Sequence, residues 1–380
     1  MFILVLLGAA LLLLLGVLGI AGWISSEQLL RAKKRDQVHA PQPRVLACGE
    51  DTITLQRIRD TAYDGIYGID WQAHYAIVGQ IISTTDRTVT RRLLQATQRP
   101  PVGIRVRWNA FVYRGDPLRT RGLLYEDVAI PSQVGSLPAW FVGGPRATWV
   151  LMVHGYNATR EQGLCVLPLI HSLGFPVLNS SYRNDPGAPA SRDRLYHLGD
   201  TEWQDVEAMV RYARERGAAD LILYGWSMGG CMVETFLRRS AEAVSVRAVI
   251  LDSPILDWHA ATIRLMHETL HFPVWFLRFV EWVVARRGVD FSALKSLPPS
   301  AQRISPTLLF HGTADTLAPV SVSDAFAGAY PDRVTYLRVA GSDHVQAWNA
   351  DPQVYEDALK TFLTRVGMSD APSAVQSRQE

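Results

Sequence analysis

From about residue 123 onward the chain repeats one pattern: a short, nearly continuous apolar run followed by a stretch with helical spacing. The apolar runs are Val128–Ile130, Ala139–Val142, Val150–Val153, Val177–Leu178, Leu221–Tyr224, Ala248–Leu251, Thr307–Phe310 and Val334–Val339. Between several of them lie Glu161–Ser172, Thr201–Arg216, Met228–Ala241, Ser321–Ala329 and Val354–Val366. A strand that is apolar at consecutive positions has to be covered on both faces, and intervening helices supply the cover. The pattern therefore predicts an α/β domain over residues 123–367, built on a mostly parallel sheet with helices on both faces. With 48% hydrophobic and 19% charged residues the chain has the balance of a folded protein rather than a disordered one. A net charge of +2, with no dense basic stripe in the folded region, argues against a nucleic-acid partner.

The segments outside this domain have other signatures. Met1 to Ile24 carries no charged side chain, which is long enough for a helix to span a bilayer. It lacks the basic start of a cleaved signal peptide and exceeds the usual apolar core of one, so residues 1–24 are predicted to be a single-pass transmembrane helix. Arg31, Lys33, Lys34 and Arg35, offset by Glu27 and Asp36, follow the run and place the large domain on the cytoplasmic side by the positive-inside rule. Residues 25–44 read as a basic flank and a linker containing Pro41 and Pro43, residues 45–122 as a β-rich extension, and residues 368–380 as a flexible polar tail. The three cysteines, Cys48, Cys165 and Cys231, form no disulfide framework and no Cys-x-x-Cys pair; Cys231, on a buried helix, reads as a small core residue.

Gly225-Trp226-Ser227-Met228-Gly229 follows the apolar run Leu221–Tyr224 directly and opens a helical stretch. A sharp strand-to-helix turn holds a serine with its Oγ above the sheet, and the glycines let helix and strand backbones pass closely. The helix also turns its N-terminus toward the site, where it favours developing negative charge. A serine needs a base, and the base needs an orienting group. Asp315, just beyond the run ending at Phe310, and His344, just beyond the run ending at Val339, supply them in the order Ser, Asp, His. Both fall at strand C-terminal ends, where open α/β sheets build their sites. Asp252 and Asp257 are reserve candidates for the acid, and Asp343 is read as shaping the loop of the base. An oxyanion needs two backbone N–H groups. Met228, after the serine, offers one; Tyr156, in His154-Gly155-Tyr156-Asn157, offers the other.

These residues are where residues 123–367 resemble the α/β-hydrolase superfamily, in its serine esterase, lipase and acyl-peptidase branches. The resemblance rests on His154-Gly155, Gly225–Gly230, His311-Gly312 with Asp315 and Pro319, Ser342-Asp343-His344, and the loop Tyr182–Gly187. It implies an eight-stranded, mostly parallel sheet with a cap inserted after the sixth strand, here about residues 253–303. It also implies a hydrolase that cleaves an ester, thioester or amide through an acyl-enzyme, without cofactor or metal. The apolar cap segment, with Trp275, Phe276, Phe279 and Trp282, is expected either to be buried or to line an acyl pocket or touch the bilayer. A small-molecule or lipid-like ester is the expected substrate. Acyl transfer and peptidase action share the same machinery.

Two readings compete. A non-catalytic membrane scaffold could keep the fold for binding, although it has no need of all three side chains. His267-Glu268-Thr269-Leu270-His271 also satisfies the His-Glu-x-x-His zinc pattern. Pro273 follows the second histidine where a metalloprotease helix should continue, which argues against it.

Overall fold

The computed structural model describes residues 2–31, 41–269, 271–296 and 305–367, the side chains of 2–12, 14, 15, 268 and 269 excepted. The first strands are β1 (Val45–Cys48), β2 (Thr52–Gln56), β3 (Tyr67–Trp71), β4 (His74–Thr84), β5 (Thr88–Ala96) and β6 (Arg107–Asn109). The rest are β7 (Glu126–Ser132), β8 (Gly135–Val142), β9 (Thr148–Val153), β10 (Val177–Ser180), β11 (Asp220–Trp226), β12 (Val246–Asp252), β13 (Thr307–Gly312) and β14 (Val334–Val339). Helices are α1 (Phe2–Leu30), α2 (Pro117–Arg121), α3 (Leu167–Ser172), α4 (Trp203–Glu215), α5 (Met228–Arg239) and α6 (Trp258–Thr262). They continue with α7 (Val274–Arg286), α8 (Phe291–Leu294), α9 (Val320–Ala329), α10 (Ala347–Ala350) and α11 (Pro352–Gly367).

Each of the eight apolar runs is a strand of one eight-stranded sheet, ordered β14-β13-β12-β11-β9-β10-β8-β7. β9 to β14 pair in parallel, while β8 runs antiparallel to both β10 and β7, so the sheet is mixed at one edge. β9, β10 and β13 are buried at every position, which is why they read as unbroken apolar runs. Alternate side chains serve opposite faces. Leu151, Val153, Leu223 and Leu251 pack with Val206 and Met209 of α4 and Val233 and Phe236 of α5. Val150, Met152, Ile222 and Phe310 pack with Tyr355, Leu359 and Phe362 of α11.

Residues 45–109 form a separate six-stranded antiparallel sheet, ordered β1-β2-β5-β4-β3-β6, with its own core of Val45, Ile53, Leu55, Tyr67, Ile69, Val78 and Trp108. The expected linker is shorter than residues 25–44. Trp108 N–H donates to Pro41 O and Val106 N–H to Pro43 O, so residues 41–44 already run along this sheet. Residues 32–40 and the tail 368–380 lie outside the described residues.

The N-terminal segment departs from expectation. α1 does not stop at residue 24 but continues to Leu30, because Ser25 to Leu30 contains no helix breaker and packs on the body. Gly22 lies under the Phe279 ring, Arg287 donates to Ser26 Oγ (2.8 Å) and pairs with Glu27 (2.6 Å), and Tyr196 N–H donates to Leu30 O (2.7 Å). Among the described residues no helix is long and apolar enough to cross a membrane. The predicted transmembrane span thus falls largely on side chains outside the description.

Candidate active site

The sharp turn at the end of β11 is enforced by the backbone. Ser227 has φ +51° and ψ −118°, a strained conformation that lifts its side chain out of the strand. Gly229 is required there: a Cβ at that position would sit 2.1 Å from Val153 O and 2.6 Å from His154 O. Ser227 N–H donates to Asp252 O (3.0 Å), and Ser227 O accepts from Gly230 N–H (3.0 Å) and Ile255 N–H (3.1 Å), which fixes the turn from three sides.

The loops after β13 and β14 bring Asp315 and His344 to this serine. His344 Nε2 lies 2.8 Å from Ser227 Oγ, and His344 Nδ1 lies 2.7 Å from Asp315 Oδ2. An ionised carboxylate only accepts, so Nδ1 carries the proton and Nε2 is left to accept from the serine hydroxyl. The other oxygen, Asp315 Oδ1, accepts from Leu317 N–H (2.8 Å) and Ala318 N–H (2.7 Å). Burial alone would raise the Asp315 carboxyl. The His344 charge and the hydrogen bonds from His311 and His344 win, and hold it well below the usual carboxylate range. Burial pulls the His344 imidazole down, but Asp315, with Asp252 and Asp343 behind it, raises it above the ordinary histidine value.

The reserve acids lie elsewhere. Asp252 accepts from Tyr355 OH (3.0 Å) and Ser253 Oγ (3.1 Å), and burial pushes its carboxyl up to about 6. Asp257 caps α6 and pairs with Lys295 (3.0 Å). Met228 opens α5, where its N–H has no partner within the helix. Tyr156 follows β9 in a loop held by Gln162 Oε1, which accepts Gly155 N–H (2.9 Å), and by Tyr182, whose hydroxyl donates to Gly155 O (2.8 Å). The Tyr156 hydroxyl donates to Leu29 O (2.9 Å), closing the open C-terminus of α1. Nothing in the sequence marks that contact, because it joins residues far apart in the chain.

A cavity of about 310 Å³ opens beside Ser227. Its walls are Tyr156 and Leu317, then Trp258, Ala261, Thr262, Leu265, Met266 and Phe272 of the cap, and Ser25, Gln28 and Leu29 of α1. None of these side chains is charged. The four aromatic residues read as either a buried cap helix or the lining of an acyl pocket, Trp275, Phe276, Phe279 and Trp282, are not among them. Phe276 is buried in the cap core, Phe279 packs on Gly22, and Trp275 and Trp282 face outward. Helical spacing places them on α7, whereas the wall is formed by α6 and the π-helical turn Ile263–Thr269 that precede it.

The zinc pattern is not realised as a single helical face. The helix ends at Thr269, and His271 takes φ +60° outside it, while His267 Nδ1 is bonded to Phe272 O (2.8 Å). Among the described residues no group of three or more His, Cys, Asp or Glu side chains could hold a metal ion. The Glu268 side chain lies outside the description.

The fold and the residues gathered at its strand ends define a serine hydrolase of the α/β-hydrolase type. Residues 173–364 match the model of the prolyl oligopeptidase family, and the chain belongs to that family. Residues 44–109, the first sheet, match a domain of unknown function. Two uncharacterized proteins from strains of Mycobacterium tuberculosis are each 25% identical over 254 residues, which covers 64% of this chain and 80% of theirs. Among solved structures, an esterase of Pyrococcus furiosus is 21% identical with a TM-score of 0.55, covering 67% of this chain and 96% of its own. Est1E of Butyrivibrio proteoclasticus, solved with ferulic acid bound, is 17% identical with a TM-score of 0.51, over 64% of this chain and 99% of its own. The likeness to both is one of fold.

Proposed function

We propose that this hydrolase cleaves an ester of a hydrophobic acid through an acyl-enzyme, with Ser227 as nucleophile, His344 as base and Asp315 as its orienting group. The observation that carries the reading is the unbroken relay from Asp315 through His344 to Ser227 at the mouth of an uncharged, largely apolar cavity. Ser227 Oγ attacks the ester carbonyl as His344 Nε2 takes its proton. The oxyanion rests on the N–H groups of Tyr156 and Met228. His344 then returns the proton to the leaving alcohol as the carbon–oxygen bond breaks. Water, deprotonated by the same nitrogen, releases the acid and restores Ser227. The imidazolium formed in each half is stabilised by Asp315, whose own carboxyl stays ionised.

The cavity favours an acyl chain over a peptide. A peptide's charged terminus needs an opposite charge, and no lining residue supplies one. The uncharged run Met1–Ile24 makes up most of α1, whose C-terminal turns, with Ser25, Gln28 and Leu29, form one wall of that cavity. This supports a membrane-held enzyme acting on a lipid-like ester, with the basic flank after α1 favouring the cytoplasmic side. Protease digestion of the domain from outside intact cells would refute that orientation. The chemistry is tested by treating the detergent-solubilised chain with a fluorophosphonate probe. Wild-type labelling that disappears in Ser227→Ala is expected; equal labelling of the two would refute the assignment.

A further inference from the structure

The first sheet matches a domain to which no role is attached, yet one of its loops reaches the histidine side of the site. Asp343 stands between them. Its Oδ1 accepts from His344 N–H (2.7 Å), Thr316 N–H (2.9 Å) and Thr316 Oγ1 (2.9 Å), tying the loops of the base and the acid together. Its Oδ2 faces the other way, toward Arg59 Nη2 (3.3 Å) and Tyr63 OH (3.2 Å) of the loop between β2 and β3. Arg59 Nε donates to Tyr63 OH (3.1 Å), so the phenol hydrogen is turned toward the carboxylate.

That loop is itself held from below by an unusual group. Arg91 of β5 is fully buried and meets backbone carbonyls at every bond described: Thr61 O (3.0 Å), Tyr63 O (2.7 Å), Gly65 O (2.8 Å) and Gly79 O (2.8 Å). Its guanidinium also lies over the rings of Tyr67 and Trp108. A buried cation is costly unless its donors are satisfied, and here the satisfaction comes from the three carbonyls of residues 61–65, which it gathers into one shape. Beyond it, Gly65 touches Asn349, where a Cβ would lie 2.0 Å from the Asn349 carbonyl oxygen. Ile66 N–H donates to Asn349 O (2.9 Å), Asn349 Nδ2 donates to Ile66 O (2.7 Å) and Ala110 O (2.7 Å), and Tyr67 OH donates to Gln346 Oε1 (3.0 Å). The segment 343–349 is thus gripped along its length by the first sheet.

We infer that the N-terminal sheet is an intramolecular brace for the His344 loop, with Arg59 and Tyr63 acting through Asp343 as positioning residues for the hydrolase reaction. The inference rests on the reading of His344 as the base. It assigns two tasks to the brace. One is mechanical: it holds the loop so that the imidazole stays within reach of Ser227. The other is electrostatic: the Arg59 charge offsets Asp343, which otherwise stabilises the imidazolium form of His344. The charged and titratable groups facing this loop are Asp315, Asp252 and His311 from the sheet side, and Asp60, Arg59, Tyr63 and Tyr67 from the brace. When the brace is cut, the loop keeps its hydrolase-side contacts: Val345 N–H to Ser253 Oγ (3.1 Å), Thr316 to Asp343 Oδ1, and His344 to Asp315.

The test is the rate of fluorophosphonate labelling at Ser227 between pH 5 and pH 9, measured on the full chain with thermal unfolding as the folding control. Arg59→Met is expected to label about tenfold more slowly, since small misplacements of a reacting group are costly. Its acid limb should move up by about 0.3 pH unit, the size expected of a partly exposed charge acting through solvent. Asp343→Asn should move the limb down, because it removes a negative charge beside His344. Tyr63→Phe should lower the rate with the limb in place, because no charge is lost. Arg59→Lys should return the limb to its wild-type position while recovering the rate only in part, since an ammonium lacks the fork that reaches both Tyr63 and Asp343. Wild-type labelling with all four variants within twofold of it at every pH would overturn the brace. So would slower labelling with every limb unmoved, which general loosening explains equally well. A folded wild-type chain that takes no label at all would overturn the hydrolase reading itself, and the brace with it.

Discussion

Asp315→Asn probes the site most sharply, because the structure dictates which way the new amide faces. Asp315 Oδ1 accepts from two backbone N–H groups, of Leu317 and Ala318, at 2.8 and 2.7 Å. Turning an NH₂ toward them would leave two buried donors unsatisfied, at about 1–3 kcal/mol each. The asparagine oxygen therefore keeps that place, and its NH₂ points at His344 Nδ1, 2.7 Å away in the parent chain. A donor there forces Nδ1 to be the acceptor and moves the imidazole proton to Nε2, the atom that must receive the Ser227 proton. The same change in the Ser-His-Asp system that serves as the general model costs about 10⁴ in rate, or about 5 kcal/mol of transition-state stabilisation. Fluorophosphonate labelling should fall by about that factor, while the unfolding temperature changes little because the two backbone bonds survive. Labelling within tenfold of wild type, in a variant that melts normally, would refute the argument that Asp315 sets the tautomer of His344.

The remaining expectations can be checked with the same protein. His344 must be neutral to accept a proton and its folded pKa is raised, so labelling should fall as pH drops through a limb centred above 6.5, the ordinary histidine value; a limb at or below that value would contradict the Asp315 coupling. Gly229→Ala places a Cβ 2.1 Å from Val153 O and should destabilise the fold by about 3 kcal/mol or more, read by chemical denaturation. An unchanged midpoint would mean that β9 and α5 can separate. Leu29→Trp narrows the cavity from the α1 side, and should reduce turnover of a long-chain aryl ester relative to the acetate by about tenfold while leaving Ser227 labelling intact. Equal loss on both esters would argue against an acyl site there.

The sequence by itself determined the sheet and the chemistry along it. Strands buried on both faces have to be apolar at successive positions, so β9, β10 and β13 announce themselves, and Gly229 beside Ser227 marks a turn that only a residue without a Cβ can complete. The ends of the apolar runs at Phe310 and Val339 likewise point to Asp315 and His344, since the parallel topology sends the loops after β13 and β14 to one edge. What tertiary structure decided is whatever depends on residues distant in the chain. Periodicity marks α7 as apolar but not which neighbour it covers, so Trp275, Phe276, Phe279 and Trp282 read as either a buried cap helix or a substrate wall, and in the fold α6, the turn after it and α1 supply the wall. The end of α1 at Leu30 rather than Ile24 follows from contacts with Phe279, Arg287 and Tyr196, none of which is visible locally. Arg59 and Tyr63 resemble any polar loop residues, and their link to Asp343 spans about 280 positions. Local pattern encodes what a segment must bury; only the folded chain says against what.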